Sequence, residues 1–138
     1  MDDKKAFLRR YLDSRKKEKE LLDELNTLES QYIFPSVNID GMPHGSGGSD
    51  LSGFAAQYDE LYQELIKQCE SGIAIRKEVT DAIEAMDGGE AQKALLRYRY
   101  IMGYTWEKIA VEMNYSYRWV LKLHGTALSH FDVRKRTW

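Results

Sequence analysis

The chain is 138 residues long, 30% charged and 43% hydrophobic, with a formal net charge of −2 at neutral pH. That length suits one domain or a small domain with an extension, and the composition is ordinary for a soluble protein with many exposed helical faces. No apolar run approaches the length needed to cross a bilayer, which argues against a membrane-spanning role.

The opening MDDKKAFLRR lacks the apolar core of a signal peptide. The single Cys69 cannot close an internal disulfide, so a reducing, cytoplasmic setting is expected. The small net charge hides an asymmetry. Residues 1–89 hold 11 Lys/Arg against 18 Asp/Glu, whereas residues 90–138 hold 9 against 4. An acidic body joined to a basic C-terminal module suggests that the module is the part that meets phosphate.

Residues 2–33 predict one long helix. They contain no Gly or Pro and are rich in Leu, Glu, Lys and Arg, which are good helix formers. Phe7, Tyr11, Leu21, Leu25, Leu28 and Tyr32 follow a seven-residue spacing that Ser14 and Glu18 interrupt. At about 1.5 Å per residue such a helix extends over roughly 45 Å, too far to bury its stripe without a partner helix. Residues 34–53 break the pattern with five glycines and both prolines, Pro35 and Pro43, and read as a loop or linker. No phosphate-loop motif is present there.

Residues 54–86 predict a second long helix, with Tyr58, Tyr62, Leu65, Cys69, Val79, Ile83 and Met86 along one side and a weak point at Ser71-Gly72. The economical arrangement is all-α: a long antiparallel, coiled-coil-like helical hairpin over residues 1–87, packed on itself or shared in a homodimer. Asp87-Gly88-Gly89 ends it. A helix over 90–102 then opens a C-terminal module, 88–138, with Ala94, Leu95, Tyr98 and Ile101 inward and Leu96, Arg97, Tyr100 and Met102 beside or opposite them.

The stretch 103–131, GYTWEKIAVEMNYSYRWVLKLHGTALSHF, reads as a helix-turn-helix. Thr105 can cap a short helix over 106–113, whose buried face would carry Ile109, Ala110 and Met113. Asn114 sits where the chain must turn and tolerates a left-handed backbone. Ser116 is the next N-cap, and Val120, Leu123, Ala127 and Leu128 form the inward stripe of a longer helix. The expected core of the three-helix module is Leu95, Tyr98, Ile109, Val120 and Leu123.

This stretch resembles region four of bacterial sigma factors. It is closer still to the sigma-like ArpU/RinA-type late transcription regulators of phages of low-GC Gram-positive bacteria. The likeness rests on Gly103, Thr105, Ile109-Ala110, Asn114-Tyr115-Ser116, Val120, His124, Ala127-Leu128 and Phe131. Asn114 stands where sigma factors usually have Gly. The resemblance implies a phage- or prophage-encoded transcriptional regulator in the cytoplasm of a bacterial host, with double-stranded DNA as partner and a region-four-type contact to RNA polymerase.

In a helix-turn-helix the start of the second helix reads base edges while the first straddles the backbone. That puts Ser116, Tyr117, Arg118 and Lys122 outward, with the planar fork of Arg118 suited to guanine. Lys122, Arg134, Lys135 and Arg136 would bind phosphates, as would Thr105, Trp106 and Lys108 at the start of the preceding helix. Trp119 is expected to pack over the core rather than meet DNA, and His124 to be a packed, hydrogen-bonded residue. His44, His124, His130 and Cys69 have no zinc-like spacing, and no carboxylate pair sits in an evident pocket. Neither an enzyme nor a cofactor is expected. Two other readings fit the same elements: a DNA-packaging oligomer resembling a terminase small subunit, and a structural coiled-coil protein.

Overall fold

The computed structural model describes residues 2–32 and 47–133, and is all-helical over them. Five helices follow in order: α1 (Asp2–Tyr32), α2 (Gly47–Ala85), α3 (Glu90–Tyr100), α4 (Trp106–Met113) and α5 (Tyr117–His130). None of them is long and apolar enough to cross a membrane. Most of the expected loop at 34–53, and the basic run Arg134, Lys135 and Arg136, lie outside the described residues.

Two helix bounds differ from expectation by more than one residue. α2 begins at Gly47, inside the expected linker, and runs through Ser71-Gly72 without a break. The first turn of a helix has few intrahelical bonds to lose, so glycine is tolerated there better than in the interior. Further along, one glycine's cost of about 1 kcal/mol is small beside the packing of a long amphipathic helix. α3 stops at Tyr100, two residues early, because Gly103 takes the left-handed φ of +72° that turns the chain toward α4.

The chain divides into two compact units: residues 1–14 with 72–138, and residues 15–71. The expected boundary at 87/88 falls inside the first unit. The reason is the size of its core. Leu95, Ile109 and Val120 are fully buried, as the three-helix reading requires, and Tyr98 and Leu123 pack partly buried against them. Three helices alone do not close that core. Phe7 and Leu8 from α1, and Val79, Ala82, Ile83 and Met86 from the end of α2, are buried in the same cluster.

Leu96 and Tyr100 are also buried, a correction to their expected place beside or opposite the core. Consecutive residues point about 100° apart on a helix, so burial of both Leu95 and Leu96 means α3 is covered on two flanks. Polar contacts tie the additions in. Lys4 Nζ donates to the Leu128 carbonyl at 2.7 Å, Arg10 pairs with Glu78 at 3.0 Å, and Arg97 pairs with Glu84. The Phe7 and Phe131 rings meet with centroids 5.9 Å apart.

In the second unit Leu25 and Leu28 are buried. An aromatic run joins Tyr32 to Phe54, Phe54 to Tyr58 and Tyr58 to Tyr62, with centroid distances of 5.2, 5.7 and 6.1 Å. A hydrogen bond with Glu29 raises the Tyr58 phenol above its ordinary value. Burial, and then the charge of Glu18, raise the Cys69 thiol.

Candidate functional site

The connection from α3 to α5 is built from short-range chemistry. The Thr105 hydroxyl accepts from Lys108 N–H at 3.2 Å and so caps α4, satisfying one of the donors that a helix start leaves free. α4 ends at Asn114, the one described non-glycine residue with positive φ (58°). A left-handed residue there lets Asn114 N–H reach Val111 O at 3.2 Å and Tyr115 N–H reach Ala110 O at 3.0 Å, closing the helix end. Ser116 then caps α5 by accepting from Trp119 N–H at 3.1 Å. These three residues set both ends of α4 and the start of α5.

Packing fixes which sides face in. Ile109 and Ala110 of α4 are buried and Met113 is half-buried; on α5, Val120, His124, Ala127 and Leu128 are buried. α5 packs against both α3 and α4, and α3 packs against α4. With that stripe inward, the opposite side of α5 is open to solvent. Ser116, Tyr117, Arg118 and Lys122 are all exposed, on one outward surface that begins at the helix N-terminus. Thr105 and Lys108 are exposed at the start of α4, where the Lys108 ammonium lies 4.1 Å from the Tyr104 ring centroid.

Trp106 behaves differently from its neighbours. It is half-buried, its ring edge-on to His124 at 4.6 Å and covered by the Arg99 guanidinium at 4.2 Å. Its ring therefore carries packing, while the backbone around it remains at the helix start. Trp119 reverses the expectation made for it. It is 45% exposed, edge-on to Tyr115 at 6.5 Å, with Lys122 5.9 Å from its ring centroid. Its place on α5 explains this, since it projects about 100° away from the buried Val120. The outward surface of α5 thus combines two cations with the exposed rings of Tyr117 and Trp119 and with Leu121.

Beneath that surface lies a polar pair. Tyr100 Oη and His124 Nε2 are 2.7 Å apart, both residues are buried, and their rings stack at 5.8 Å. Burial, followed by the charges of Lys5, Arg99 and Arg9, lowers the His124 pKa to about 4, so the imidazole is neutral at physiological pH. Burial likewise raises the Tyr100 phenol. A neutral imidazole can accept a hydrogen bond from the phenol at Nε2, which pairs these two buried polar atoms. The pair gives the helix crossing one directional contact among aliphatic ones. His130 lies outside the core and meets Gln92 Oε1 through Nδ1 at 2.8 Å.

Arg99 was not among the expected site residues, and its sequence neighbourhood hides its role. It sits between two core aromatic positions of α3, yet its guanidinium reaches out to Trp106 and donates to the Tyr104 carbonyl at 3.0 Å. Comparison of the chain with protein-family models, with curated proteins and with solved structures returns no match.

Proposed function

We propose that the protein is a sequence-specific DNA-binding regulator of transcription, phage or prophage encoded, whose α4 and α5 form a helix-turn-helix. The observation that carries this reading is the outward face of α5: Ser116, Tyr117, Arg118 and Lys122 are exposed together while Val120, Ala127 and Leu128 anchor the opposite side. In this reading α5 enters the major groove, Arg118 contacts guanine through its planar fork, and Tyr117 and Trp119 offer rings to thymine methyls. Lys122, Lys108 and Thr105 bind phosphates, joined by Arg134, Lys135 and Arg136 at the C-terminal end.

The resemblance to sigma region four and to the ArpU/RinA-type regulators supports the assignment and extends it to RNA polymerase as a second partner. The contacts of the other unit support a helical hairpin. Tyr32 pairs with Phe54 and Glu29 hydrogen-bonds Tyr58, so the sequence separation widens from one contact to the next along α1 and α2. That hairpin is the part we assign to homodimerisation.

Footprinting on promoter DNA, with RNA polymerase present and absent, tests the reading. Arg118→Ala is expected to cost about 1–3 kcal/mol at the cognate site and to relax specificity at one base pair. Lys122→Ala is expected to weaken binding to all sequences alike, reducing the slope of log K against log salt by about 0.9. If both variants bind cognate and random duplexes as the wild type does, α5 is not the reading helix.

A further inference from the structure

Trp119 is the largest side chain on α5, and the core does not use it. Val120, His124, Ala127 and Leu128 are the residues of that helix which the core buries, whereas Trp119 is 45% exposed. Its backbone N–H is committed to the Ser116 cap, a bond in which the indole has no part. Little touches the ring. Tyr115, itself exposed, meets it edge-on with centroids 6.5 Å apart, and the Lys122 ammonium lies 5.9 Å from its centroid.

Helical spacing explains the grouping. Trp119 and Lys122 are three residues apart and share one side of α5, and Tyr115 stands four residues before Trp119 across the N-cap. One wide ring, a second ring beside it and a cation over it thus form a single exposed surface. The exposed Arg118 adjoins it in sequence, and among the described residues neither Arg118 nor Lys122 forms an ion pair.

That combination suits a ligand with a flat π-face and a negative charge close to it, which describes a nucleotide. In a closed duplex the bases cover one another's faces, and a groove offers only their edges. In a single strand the faces are free, and aromatic side chains beside cations hold such strands by stacking. A separation of 5.9 Å is near the outer limit of a cation–π contact, about 6 Å, and at an exposed site that contact is weaker than base stacking. A base can therefore displace the ammonium, whose flexible stem lets it meet the phosphate of the same nucleotide.

We propose that Tyr115, Trp119 and Lys122 form a stacking site for an unpaired base, so that α5 holds single-stranded DNA as well as the duplex. This rests on the reading of α5 as the DNA-facing helix and deepens it. The strand is DNA because an opened stretch of the duplex assigned to the same helix presents such bases there. Stacking is tolerant of base identity, so this contact adds affinity for opened DNA without adding sequence preference.

The test is a fluorescence-anisotropy titration with the full chain. One arm uses labelled oligothymidylate of about 16 nucleotides, which cannot pair with itself, and the other its duplex with oligoadenylate. Trp119→Ala is expected to weaken binding to the single strand about 5- to 150-fold, the range for loss of one base–aromatic stack, and to weaken binding to the duplex less. Trp119→Phe keeps a π-face and should retain most of the affinity. Trp119→Leu keeps apolar area without one and should lose as much as Trp119→Ala. Lys122→Gln should lower the slope of log K against log salt on the single strand by about 0.7.

Wild-type protein that binds the duplex alone overturns the proposal and leaves the DNA reading standing. Equal loss on both forms in Trp119→Ala overturns it in favour of a contact made in the groove. Trp119→Leu that binds the single strand as well as Trp119→Phe does replaces stacking with general apolar contact and overturns it too. A thermal midpoint lowered by Trp119→Phe would assign the indole to the fold, with the same consequence. Wild-type protein with affinity for neither form removes this proposal together with the reading beneath it.

Discussion

Acid should unfold this protein through one identifiable residue. His124 is 8% exposed, has no charged hydrogen-bond partner among the described residues, and has its pKa lowered to about 4 by burial and then by Lys5, Arg99 and Arg9. In the unfolded chain the same imidazole titrates near its ordinary value of about 6.5. Between those values the unfolded state binds more protons than the folded one, so stability falls as pH drops through the window and is fully retained above it. Carried through the linkage relation, the loss reaches about 2.5 kcal/mol by about pH 4.5, a large fraction of the stability of a small domain.

Urea unfolding followed by circular dichroism, at about pH 7.5 and about pH 4.5, measures the loss. Carboxylates also titrate toward the lower pH, so the informative quantity is the difference from His124→Gln. That variant is less stable at neutral pH because it disturbs the bond to Tyr100, but it should lose about 2.5 kcal/mol less between the two conditions. If wild type and His124→Gln lose the same amount, the imidazole is not held neutral by its surroundings and the argument fails.

Four other substitutions probe the fold, three of them at or just before the starts of α4 and α5. Thr105→Ala and Ser116→Ala each remove a capping oxygen; each should lower stability by about 1 kcal/mol in denaturant unfolding, with no change in the unfolding slope. Gly103→Ala places a Cβ on a backbone at φ +72°, 3.5 Å from Leu12 Cδ2. The space is adequate but the conformation is strained, so a loss of about 1–2 kcal/mol is expected, and a neutral result would show that the turn relaxes. The Thr80 hydroxyl is buried without a hydrogen-bond partner among the described residues. Thr80→Val keeps the shape and removes the stranded group, and should raise the thermal midpoint by an amount equivalent to about 1 kcal/mol.

What the sequence made legible was whatever is decided locally. Thr105, Asn114 and Ser116 specify a cap, a left-handed turn and a second cap through their own side chains and backbones, and α4 has its expected bounds and α5 its expected start. The inward stripes followed from spacing alone. Burial decided by a distant segment was not legible. Leu8 carries no mark distinguishing it from Leu12, yet it is fully buried while Leu12 is half-buried. On α3 a single amphipathic face was expected, and Leu96 and Tyr100 fell outside it because periodicity cannot announce a helix covered on two flanks. Trp119 departs from expectation for a related reason: large apolar residues are usually inside, but the residue next to Val120 on a helix projects about 100° away from it.

Charge shows the same division between local and distant causes. Counted along the chain, the cations of α1 belong to an acidic half, because residues 1–89 carry more Asp and Glu than Lys and Arg. Counted by compact unit, they change sides. Residues 1–14 with 72–138 hold 15 Lys/Arg against 11 Asp/Glu, a net of +4, while residues 15–71 hold 5 against 11, a net of −6. The segment that moves, 1–14, reaches the first unit because Phe7 and Leu8 fill a core that α3, α4 and α5 leave open. A hydrophobic requirement thus carries the cations of residues 1–14 into the first unit, and packing settles which unit is net positive.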